Sequence, residues 1–75
     1  MMWLWHLEFE AGDKPCVCTG FVIASTSVRD ARNIASEWCG DEGPGVWQTE
    51  RVTCERIGKA LETTMRGVVL RSFKV

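Results

Sequence analysis

Apolar and polar residues alternate strictly at the start of the chain. Trp3, Trp5, Leu7 and Phe9 interleave with Leu4, His6, Glu8 and Glu10, the two-residue period of a strand with one buried face. Ala11-Gly12-Asp13-Lys14-Pro15 is rich in turn formers. Cys16 to Ala24 then reads as a second strand of β-branched and small residues, returning on the first as a hairpin. The period changes at Ser25-Thr26-Ser27. Val28, Ala31, Ile34, Ala35 and Trp38 recur at helical spacing, while Arg29, Asp30, Arg32, Asn33 and Glu37 fall on or near the opposite side. Ser27 is the expected N-cap, and Asp30 stands three residues on as a short relative of the usual capping-box partner. Gly40 suits the left-handed position that ends a helix, and Gly40-Asp41-Glu42-Gly43-Pro44-Gly45 cannot continue it.

The second half is patterned less cleanly. Trp47 to Gly58 is mostly strand-like, with Val52 and Cys54 on one face and Thr53 and Glu55 on the other; Gly67 precedes a last strand, Val68 to Phe73. Ile57, Ala60, Leu61 and Met65 also fit a short helix across residues 55–65. A hairpin is preferred, because Gly58 would weaken a helix by about 1 kcal/mol and two threonines follow it. Trp5 and Trp38 are the expected core anchors, and Trp47, following the acidic loop, is the better candidate for contact with a partner. The expected fold class is α+β: one domain over residues 1–75, ordered β-β-α-β-β, an antiparallel four-stranded sheet with one helix packed on one face.

Composition narrows the function classes. Seventy-five residues leave no room for a substrate domain beside a core, and a chain this short buries only roughly 60% of its unfolded surface. Apolar residues at 45% and charged residues at 25% describe an ordinary globular protein. No apolar run approaches the roughly 20 residues of a membrane span, and Met1 to His6 lacks a basic leader region, so the expectation is a cytoplasmic protein with no membrane partner. Charge is uneven along the chain. Residues 1–50 hold three basic and eight acidic groups, a net of −5; residues 51–75 hold six basic and two acidic groups, a net of +4. Such a split fits either solvated outer faces or a dipolar surface that steers a charged partner.

These residues bear on four chemistries. Cys16, Cys18, Cys39, Cys54 and His6 offer soft metal ligands, but the single close pair has one intervening residue where zinc knuckles have two to four. Small buried thiols are the favoured reading, so neither metal nor cofactor is expected. A catalytic cysteine needs a base, and the one histidine, His6, lies on the polar side of a strand beside two glutamates. Asp41-Glu42 sit in a glycine-rich turn that lacks the burial a general acid needs. Direct nucleic-acid binding by the basic C-terminal strands is not favoured at an isoelectric point near 5.7 with Phe73 as the one aromatic there. No enzyme is expected, and a homodimer by extension of an exposed edge strand is compatible with the pattern.

The stretch Gly20-Phe21-Val22-Ile23-Ala24, Ser27 with Ala31, Ile34 and Ala35, Gly40-Asp41-Glu42-Gly43, Trp47, Thr53-Cys54-Glu55, Ile57-Gly58 and Gly67 to Phe73 resembles small proteins encoded by phages and prophages. The resemblance covers most of residues 20–73, mainly fold-making positions, and brings no catalytic residues with it. It implies a non-enzymatic inhibitor of a bacterial defence system, such as an anti-CRISPR protein occupying a surface of a Cas effector complex in the host cytoplasm. Glu8, Glu10, Asp13, Glu37, Asp41 and Glu42 would then form an acidic contact patch with Trp47. A zinc- or thiol-dependent module and a nucleic-acid-binding accessory protein are the alternatives.

Overall fold

The structure is a computed structural model that describes residues 1–10, 12 and 16–73. The alternating N-terminal segment forms β1 (Trp3–Glu8), which pairs antiparallel with β2 (Cys18–Ser25) from Trp3 opposite Ser25 to Glu8 opposite Gly20. The helix α1 (Val28–Glu37) follows, then a 3₁₀ turn (Pro44–Gln48), β3 (Thr53–Lys59) and β4 (Gly67–Phe73). Among the described residues this is the expected α+β class, a four-stranded antiparallel sheet with a helix on one face.

The strand order is β3-β1-β2-β4. This corrects the preferred hairpin for the C-terminal half. β3 pairs with β1 and β4 pairs with β2, so the two strands lie on opposite edges and residues 60–66 link the two edges. The short-helix alternative fails too, because residues 55–59 are strand and no helix is assigned through 60–66. The physical reason is that the β1–β2 hairpin has two free edges. Each can be satisfied by a strand from the second half, and local pattern does not say which.

Ser27 caps α1 as expected, its hydroxyl accepting from the Asp30 N–H at 3.1 Å. Ala31, Ile34 and Ala35 are buried against the sheet. Trp38 is a correction: it is the C-cap residue and is 53% exposed, because the helix ends at Glu37 and its ring leaves the apolar stripe. Gly40 does not take the left-handed conformation. It is small for a different reason: a Cβ there would stand 2.8 Å from the Cys16 carbonyl oxygen and 2.9 Å from a ring carbon of Phe73. β2 begins two residues later than expected, with Cys16 at φ 61° outside it.

Trp47 is the larger correction. It lies in the 3₁₀ turn rather than a strand and is fully buried. Phe9 and Phe21 meet it edge-on, at centroid distances of 5.2 and 4.7 Å. Around it the core collects Leu7, Ile23, Ala31, Ile34, Ala35 and Val52. One side chain reaches three carbonyls of the segment from Trp47 to Val52. Arg32 of α1 donates to the carbonyls of Trp47, Thr49 and Val52 at 3.0–3.1 Å, supplying hydrogen bonds that an irregular segment cannot make to itself.

Candidate interaction surface on the open face of the sheet

The period of β1 that sends Trp5 and Leu7 under the helix sends Leu4, His6 and Glu8 to the opposite side. Cross-strand partners share a face, so Val22 (opposite His6), Gly20 (opposite Glu8) and Glu55 (opposite His6 on β3) stand with them. On β4, Leu70 is opposite Val22 and Ser72 opposite Gly20. His6, Glu8, Glu10, Gly20, Val22 and Leu70 line a shallow groove of about 560 Å³ on this side. Gly20 has no side chain to fill its floor. His6 Nε2 lies 3.6 Å from a Glu8 carboxylate oxygen.

The arginines of the sheet turn the other way. Arg56 stacks on Trp3 at 4.3 Å, and Trp3 packs against the core. Arg66, just before β4, forks onto both carboxylate oxygens of Asp30 at 2.8 and 2.6 Å. Arg71 donates to the Trp38 carbonyl at 2.9 Å and lies 4.9 Å from the Phe73 ring centre. The groove is lined by one Lys or Arg among the described residues, Arg71, and that guanidinium is committed to Trp38. Glu8, Glu10 and Glu55 thus share a face whose strand cations point to the helix side.

The acidic residues expected to form one patch divide into two groups. Glu8 and Glu10 are exposed and border the open groove. Glu37 and Asp41 are exposed around the C-terminal end of α1, where the Asp41 N–H donates to the Cys16 carbonyl at 3.1 Å. Asp13 lies outside the described residues. Glu42 is not a free surface acid. Its half-buried carboxylate accepts from the Cys18 backbone N–H at 2.8 Å and from the Trp47 indole N–H at 2.6 Å, tying the loop to β2 and to the core. With Trp47 fully buried, the expected contact pair Glu42–Trp47 is an internal brace. Glu55 is the residue the sequence reading did not single out. Its signal was its place opposite His6, which appears only when β3 is registered against β1.

The thiols separate by environment. Cys18 is fully buried and Cys54 half-buried, and burial pushes both thiols above their ordinary value of 9.0. Cys16 is exposed and Cys39 half-buried. Among the described residues no three His, Cys, Asp or Glu side chains converge as a metal-holding group. Among the same residues no helix is long and apolar enough to cross a membrane.

No protein-family model matches the chain, and no curated protein or solved structure is similar to it.

Proposed function

We propose that the protein is a non-enzymatic binding protein that docks the open face of its sheet onto a basic surface of a partner protein. The partner class implied by the phage resemblance is a bacterial defence complex that handles nucleic acid, with a Cas effector in the host cytoplasm as the case to test. The observation that supports this reading is the carboxylate trio Glu8, Glu10 and Glu55 on one face, with the neighbouring arginines engaged on the other. Carboxylates spaced along strands present negative charge to the Lys and Arg side chains that otherwise bind phosphate, and they raise the rate of encounter. Val22 and Leu70 add apolar area at the centre of the same groove. This moves the contact from the Asp41–Glu42 loop and Trp47 to the sheet.

The test is affinity capture by the tagged protein from lysates of bacteria carrying defence systems, with mass spectrometry of the retained proteins. Recovery of Cas subunits in stoichiometric amount is the expected result. The variant Glu8→Lys/Glu10→Lys/Glu55→Lys should then lose that recovery at least tenfold while its melting temperature stays near wild type. Wild-type protein that retains no Cas subunit overturns the partner class. A triple variant that retains them at full strength overturns the surface.

A further inference from the structure

The two edges of the sheet meet solvent differently. β3 presents Glu55, Arg56 and Lys59, and its register against β1 breaks between Leu4 and Trp5. Charges on an edge strand oppose pairing with another chain. β4 carries one charged residue, Arg71, whose guanidinium is held by Trp38. Val69, Leu70 and Phe73 on β4 are 56, 64 and 44% exposed. The register of β4 on β2 also shifts, at Val69 and again beside Phe73, but Leu70, Arg71 and Ser72 pair without interruption, so β4 differs from β3 in its scarcity of charge.

Charge is also polarised along the strands. The end marked by Trp3, Lys59 and Gly67 carries Arg29, Lys59 and Arg66, with Asp30 and Glu62 as its acids. Among the described residues the end marked by Glu8, Cys18 and Phe73 carries Glu8, Glu10, Glu37, Asp41 and Glu50, with Arg51 and Arg71 as its bases. Antiparallel pairing of β4 with its own copy sets the more basic end of one molecule beside the acidic end of the other. Within β4 a two-fold axis at Leu70 opposes no two like charges, since it sets Val69 against Arg71 and Val68 against Ser72 of the second copy.

We infer that two copies of the chain associate through β4, joining their four-stranded sheets across that axis. The association is independent of the proposed partner and leaves both open faces on one side of the joined sheet.

Sedimentation equilibrium of the full chain, from micromolar to millimolar concentration, tests it together with amide hydrogen exchange. The expected mass rises toward twice 8.4 kDa, and exchange in residues 69–72 slows with concentration while β3 is unchanged. Val69→Lys should weaken the dimer at least tenfold, whereas Ile57→Lys on β3 and Val22→Lys on the open face should leave it intact. A mass that stays at one chain up to millimolar concentration overturns the inference. So does a dimer that survives Val69→Lys, or one that either control variant dissociates. The exchange measurement on the unaltered protein does not depend on any variant folding.

Discussion

The two sides of the sheet use their charged groups in opposite ways. On the helix side several charges have structural partners: Arg32 holds three carbonyls, Arg66 grips Asp30, Arg71 holds the Trp38 carbonyl, and Glu42 bridges β2 and Trp47. On the open side Glu8 and Glu10 border a groove, Glu55 shares their face opposite His6, and none of the three braces a loop. Charge in a small domain therefore divides between groups that replace missing backbone hydrogen bonds and groups left facing outward. The first kind is sensitive to substitution, the second is not, and that contrast can be measured.

The largest effect is expected at Trp47. Trp47→Ala removes the side chain between Phe9 and Phe21 and should cost about 3–5 kcal/mol, close to the whole stability of a domain this size. Urea denaturation should show the variant largely unfolded in water; a midpoint near wild type would contradict the packing described. Glu42→Gln comes next. It keeps one oxygen for either the Cys18 N–H or the indole N–H but not both, at about 1–3 kcal/mol by the same assay.

The Arg66–Asp30 pair is a smaller, pH-dependent effect. The guanidinium fork holds the Asp30 carboxyl below its ordinary value of 3.8. A depressed acid stabilises the fold at pH above that value, and the contribution fades as pH falls through the lower folded value. Wild type should therefore exceed Arg66→Ala in melting temperature at pH 7, and the gap should close in acid below 3.8. A gap that is constant with pH would mean the pair is not the source. The smallest effect belongs to the open side, where Glu8→Lys or Glu55→Lys should move stability by no more than about 0.5 kcal/mol in thermal melts. A loss above 1 kcal/mol, as a rough threshold, would erase the contrast between the two sides.

The β1 strand and the Ser27 cap follow directly from local pattern, because each depends on residues a few positions apart, and the β1–β2 pairing follows from two adjacent strands joined by a turn-forming stretch. What was not legible depends on distant partners. Trp38 continues an apolar helical stripe in sequence, yet the helix stops one residue short and the indole turns outward. Trp47 sits among glycines and a proline, the composition of an exposed loop. Its burial comes from Phe9 and Phe21, brought there by two strands it does not touch in sequence. Glu42 looks like one acid of a solvated pair until β2 supplies an unpaired N–H. The open-face acids Glu8 and Glu10 were visible in the alternation, while Glu55 needed the β3 register.

The strand order also governs how the chain folds in time. The β1–β2 hairpin and α1 lie within the first 37 residues, but each outer strand must return from far along the sequence to reach its place. A nascent chain that has not yet reached residue 52 has two bare hairpin edges and lacks Val52, so its core cannot close. Completion then waits on β4, residues 67–73, which pairs with a strand far back in the sequence. Destabilising substitutions in the hairpin and helix should slow refolding, whereas those in β4 should chiefly quicken unfolding, a division that stopped-flow kinetics would expose.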